Sequence, residues 1–270
     1  MGSTQGSYLY NNITFFDTVM SPARGTTPWA QFPLQAIEDP GTGMEIYDDF
    51  IDNNTTKTTD VWQLIKGTGG SLTLSSTKAC GWINIPTAAS TNDYQCFATQ
   101  EPVFIIPASG GFTLAWEAYV NVTEANINKA SWFCGFTSVT TTGFLSNTGV
   151  PPASYSGAVI YKTQGGLTLN AQTSNGTTQN TASTITTVVS GTSYIIGMAI
   201  NSNDGVTAVV TYYVSSVSSN VRTLVTSGTL NLTIASLAVM YFMFGIRAAS
   251  GSAETLTVDY VQAAQGRYYQ

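Results

Sequence analysis

The stretch at residues 238–247 is apolar on both faces, and this restricts the fold more than any other feature of the chain. Ala238, Met240, Phe242, Phe244 and Ile246 alternate with Val239, Tyr241, Met243, Gly245 and Arg247. A strand with two apolar faces belongs in the middle of a sheet covered on both sides. The small residues at 248–252 can turn without steric cost. Residues 255–261 then return, with Leu256, Val258 and Tyr260 on one face and Thr257 and Asp259 on the other. The pattern predicts an antiparallel hairpin over residues 237–261, packed on a layer that the preceding chain must supply.

The preceding chain is suited to that. Phe112, Leu114, Trp116, Ala118, Val120 and Val122 alternate with Thr113, Glu117 and Asn121, the cleanest half-buried strand of the sequence. Gln164-Gly165-Gly166, Asn175-Gly176 and Asn203-Asp204-Gly205 mark tight turns between further short strands. Residues 123–129 could form the one short helical turn, or simply a loop. Residues 140–154 form a long polar loop with prolines, the kind of segment that carries contacts. About a dozen short strands with turn signals between them predict an all-β fold, a two-layer antiparallel jelly-roll sandwich.

The sandwich is expected over residues 46–262. Residues 1–45 read as an extended N-terminal arm, because Pro22, Pro28, Pro33 and Pro40 prevent a helix and most ladder pairing. Their apolar residues come in isolated clusters, including Phe15 with Phe16, then Trp29 and Phe32. Such anchors need a surface to lie on, either the chain's own domain or a neighbouring subunit. Residues 263–270 read as a C-terminal tail whose Tyr268 and Tyr269 could dock or fray.

Only 9% of the residues are charged and the net charge is −6, which argues against a nucleic-acid partner. No apolar run approaches the length of a membrane span, and the first residues lack the pattern of a signal peptide. Cys80, Cys96 and Cys134 predict free, buried thiols, with a Cys80–Cys96 bridge as the alternative.

The chemistry of catalysis is thinly represented. There is no histidine, which removes the commonest general base and most zinc sites. Asp48 and Asp49 point to opposite faces, Glu117 is alone on its strand, and Glu254 and Asp259 belong to the last loop and strand. None forms the paired carboxylates of a glycosidase, so these acids are expected on the surface or at turns. Asn201, Asn203 and Asp204 could ligate calcium but fit a tight turn better. The expectation is a protein that is not an enzyme and carries no cofactor or metal.

Tyr47-Asp48-Asp49-Phe50, Phe112-Thr113-Leu114-Ala115-Trp116-Glu117 and Thr257-Val258-Asp259-Tyr260-Val261 resemble the opening, middle and close of the concanavalin-like (laminin-G-like) jelly rolls of phage structural proteins. In such folds the first and last strands lie near each other. The arm, with Pro28-Trp29-Ala30-Gln31-Phe32-Pro33, is similar to the anchoring extension of a capsid decoration (cement) protein. The resemblance implies a structural virion protein on the capsid exterior, made in the host cytoplasm, that bridges neighbouring major capsid protein subunits. It also implies a homo-oligomer, commonly a trimer. Phe15, Phe16, Trp29, Phe32, Tyr268 and Tyr269 would be its interface residues. The alternative is a carbohydrate-binding adhesin of a phage tail or fibre, which needs an exposed aromatic platform on a sheet or at the loop ends.

Overall fold

The computed structural model describes residues 7–10, 13–16, 27–32, 43–50, 61–75, 81–106, 112–124, 129–202, 204–219, 221–235, 237–249 and 251–266. A hairpin comes first, β1 (Ser7–Tyr10) with β2 (Ile13–Phe16). Then come β3 (Gly43–Asp48), β4 (Trp62–Lys66), β5 (Thr73–Leu74), β6 (Ile83–Pro86) and β7 (Tyr94–Thr99). The middle of the chain gives β8 (Phe112–Thr123), β9 (Ala130–Thr137), β10 (Ser156–Lys162), β11 (Thr168–Asn175) and β12 (Gln179–Thr187). The last strands are β13 (Ser193–Ser202), β14 (Thr207–Ser218), β15 (Val221–Thr233), β16 (Tyr241–Ala248) and β17 (Thr255–Gly266).

Two antiparallel sheets face each other. One has the order β12-β11-β10-β9-β16-β7-β4. The other runs β15-β14-β13-β8-β17-β6-β5, with β3 also paired to β17. Strands β6 and β3 share one edge of β17 end to end: Leu256 pairs with Ile85 and Ala263 with Ile46. The first and last strands of the sandwich are therefore neighbours, as the resemblance implied. The fold is the expected all-β jelly-roll sandwich.

The core lies between the sheets. Leu114, Trp116, Ala118, Val120 and Val122 of β8 all face it, as their alternation predicts, opposite Trp132, Cys134 and Phe136 of β9 and Phe242, Phe244 and Ile246 of β16. Trp62 sits among the rings of Phe97, Phe242 and Phe244. Strand β16 is central and covered on both faces, as expected of two apolar faces.

The expected hairpin over residues 237–261 is not formed. Strand β16 pairs with β9 and β7, whereas β17 pairs with β8, β6 and β3 in the other sheet. Between β16 and β17 the chain passes from one layer to the other instead of turning as a hairpin. The face assignment in β17 also changes part-way. A register shift between Val258 and Tyr260 turns Tyr260 outward, so that Val261 and Ala263 take the core positions. The strand continues to Gly266, past the expected end at 262, because Ala263 and Ala264 are fully buried on its two faces. Cys96 and Cys134 are free and buried, on opposite faces of the seven-stranded sheet.

Candidate functional site

The outer face of the seven-stranded sheet is apolar: Cys96, Ala98, Phe133, Val159, Tyr161 and Met243 face away from the core. Residues 140–154 cover it. Phe144 and Leu145 are buried there, and Phe144 packs on Phe133 and Tyr155, with ring centroids 4.7 and 5.1 Å apart. The loop suspected of a contact role is thus first a cover for the sheet.

The cover stops short of the ends of β7 and β16, and an open cleft of about 470 Å³ lies there. Tyr94 and Arg247 form its floor. They are direct cross-strand partners on the outer face, with the guanidinium carbon 5.1 Å from the Tyr94 ring centroid. Arg247 Nη1 donates to Asn147 Oδ1 at 2.6 Å and to the Asn92 carbonyl at 3.1 Å, and Nη2 donates to the Thr142 carbonyl at 2.7 Å. One side chain therefore fastens β16 to the segment before β7 and to two points of the 140–154 loop. The exposed Thr142, Ser146 and Asn147 make a polar wall, and Phe144, Leu145 and Pro152 an apolar one.

The cleft is held in shape by backbone that most residues avoid. Asn92, Thr142 and Phe144 have φ of 65°, 51° and 66°, and Gly143 between the last two has φ 71°. Non-glycine residues in this region store about 1–3 kcal/mol each, and such residues gather at binding sites. Gly143 cannot be larger, because a Cβ there would enter the Tyr94 ring. Next to it, Ser146 and Val150 close a tight turn: the Ser146 N–H reaches the Val150 carbonyl at 2.9 Å and the Val150 N–H reaches Ser146 Oγ at 3.2 Å. Below, the Asp93 carboxylate accepts N–H groups from Thr68, Gly69 and Ala88, which fixes the start of β7. Burial pushes the Arg247 guanidinium below its ordinary range.

A second polar group lies on the outer face of the eight-stranded sheet. Tyr260 Oη donates to Glu117 Oε1 at 2.6 Å, and Arg222 Nη1 lies 2.9 Å from Glu117 Oε2. Burial, then the Glu117 charge, pushes the Tyr260 hydroxyl well up, so it is a fixed donor and not a base. Around it Trp82, Tyr119, Tyr260 and Tyr47 form a row of rings, with successive centroids 4.7, 6.1 and 6.3 Å apart. Glu117 and Glu254 were expected on the surface or at turns, and both are buried instead. A buried carboxylate needs partners, and Glu117 finds a phenol and a guanidinium that lie far from it in sequence. Asp204 does cap a turn, accepting the N–H groups of Val206 and Thr207 at 2.9 and 2.8 Å.

Of the six residues expected at an interface, the side chains that can be placed are those of Trp29 and Phe32. Phe32 is 3% exposed and lies with Trp29 on Ala115 and Ala264, on the outer face of the chain's own eight-stranded sheet. At this point the arm wraps its own domain. Phe15 and Phe16 belong to β2. Tyr268 and Tyr269 lie outside the described residues.

No family model matches the chain, and no curated protein matches it. Solved structures do. Arcelin-5, a lectin-like defence protein from Phaseolus vulgaris, superposes with a TM-score of 0.56 at 9% identity, over 84% of this chain and 100% of that one. The fold is lectin-like. Winged bean acidic lectin, solved with methyl-α-D-galactose, gives 0.51 at 11% identity over 84% and 100%. An endo-1,3-β-glucanase from Streptomyces sioyaensis gives 0.53 at 16% over 84% and 97%. At these identities the likeness is one of fold, and the sandwich is a scaffold that lectins and a glucanase share.

Proposed function

We propose that this protein is a non-catalytic carbohydrate-binding protein and that the Arg247–Tyr94 cleft holds the sugar. The observation that carries this reading is the cleft itself: a rigid, solvent-open depression that combines an aromatic ring with amide and hydroxyl groups. Sugar recognition needs this combination, because a pyranose presents apolar C–H faces to a ring and hydroxyls to polar side chains. The lectin-like sandwich adds support at the level of fold only. The carboxylate nearest the cleft, Asp93, is committed to backbone N–H groups, and Glu117 is paired with Tyr260 and Arg222, so neither stands as one of two facing acids for hydrolysis.

Screening the full chain on a glycan array, beside its Tyr94→Ala and Tyr94→Phe variants, tests the reading. The wild type should bind a defined set of glycans. Tyr94→Phe, which keeps the ring, should bind them too, and Tyr94→Ala should lose at least about tenfold in affinity while keeping its circular dichroism. Glycan binding that is indifferent to Tyr94→Ala would place the site elsewhere.

A further inference from the structure

We infer that the sugar taken by this cleft is negatively charged, with a carboxylate-bearing uronic acid unit as its class. This rests on the carbohydrate reading and extends it from the kind of ligand to its charge. Arg247 is 5% exposed, so its cation has given up most of its water. A buried charge without a counter-ion is costly. Each oxygen that Arg247 bonds is neutral: two backbone carbonyls and the Asn147 amide. The Asp93 carboxylate acts on the guanidinium only through space, because its oxygens are bonded to the N–H groups of Thr68, Gly69 and Ala88. Among the described residues the ion pairs are Lys162 with Glu124 and Arg222 with Glu117, and neither involves Arg247.

The guanidinium also has donors to spare. It carries five N–H groups, and three bonds leave two, of which the one on Nε has no partner among the described residues. Among the described residues no acidic side chain lines the cleft. In a chain with a net charge of −6, the one charged group among the described residues that line this depression is therefore a cation. A ligand carboxylate would supply a directly bonded countercharge, which Arg247 lacks, in a setting of lower dielectric than bulk water, where the attraction is stronger. The hydroxyl of Thr142 is left to orient the ring.

The test uses the full chain and oligomers of galacturonic, glucuronic and guluronic acid, each beside its own methyl ester. Esterification removes the charge and keeps the sugar. Calorimetric titration at low and high salt should give, for at least one acid, an affinity about tenfold or more above its ester, and a margin that narrows with salt. The Asn147→Asp variant places a carboxylate on Arg247 from within. It should melt no lower than the wild type and should lose about tenfold in affinity for the acid. Esters that bind as well as their acids would overturn the inference and leave the carbohydrate reading standing. An unchanged affinity for the acid in Asn147→Asp would do the same. A folded protein that binds neither acids, esters nor any glycan on the array would end both.

Discussion

Arg247 and Tyr94 are separated by most of the domain in sequence and face each other across one ladder. The arginine acts there as a fastener. Its planar fork reaches Asn92, Asn147 and Thr142 at once, which an ammonium on a flexible stem cannot do. Arg247→Lys should therefore lower stability by about 1–3 kcal/mol, the range for losing charge-assisted hydrogen bonds in a buried place. Urea unfolding of the two proteins checks this, and equal midpoints would mean that the three bonds contribute nothing to the fold. In the sequence Arg247 stands as a lone charge at the end of a strand that is otherwise apolar on both faces. Charged residues are seldom buried without a specific partner, so that contrast is the signal that marks it. Its partners carry no such mark, because two of them are backbone carbonyls, and any residue has one.

At the scale of elements, alternation was a reliable guide and pairing was not. Strand β8 faces the core with the residues its period-two pattern selects, and β16 is central for the reason its two apolar faces give. Within the sandwich, two strands escaped the pattern. Strand β7 buries Gln95 and Thr99 as well as Phe97, and β12 is an edge strand made largely of Thr, Ser and Asn. The separation of β16 from β17 was hidden because a loop of small residues serves a crossover as well as a hairpin. Residues 140–154 stood out as long and polar, and what remained invisible was that Phe144, amid those threonines, seals an apolar sheet face. Phe144→Ala should cost about 3–5 kcal/mol, as for other fully buried phenylalanines. It should also loosen the cleft that the same loop borders. Denaturant unfolding measures the first effect and glycan affinity the second. A loss under about 1 kcal/mol would mean that the loop lies on the sheet without sealing it.

The molecule as a whole has few charges and many buried hydroxyls and thiols, and that fixes how it must respond to alkali. Burial pushes Tyr119, Tyr155, Tyr161, Tyr213 and Tyr260 above the ordinary phenol value, and Cys96 and Cys134 above the ordinary thiol value. In the unfolded chain these groups lose their protons near pH 9 for thiols and pH 10 for phenols, while the folded chain still holds them. The folded state then binds more protons than the unfolded one, so stability falls as pH rises. The contribution is fully present below about pH 9 and is lost progressively above it. Lys162 works in the opposite direction, because desolvation lowers it and its charged form is the one the fold disfavours. With Arg247, which burial lowers in the same way, that makes two groups against seven. Unfolding free energy should be level up to about pH 8 and decline steadily beyond about pH 9–10. The buried tyrosines should ionise together with the loss of circular dichroism, after the exposed ones have titrated. Tyrosinate absorbance that rises in a single step near pH 10, with the dichroism intact, would mean that these hydroxyls meet water freely and that the sandwich is not closed around them.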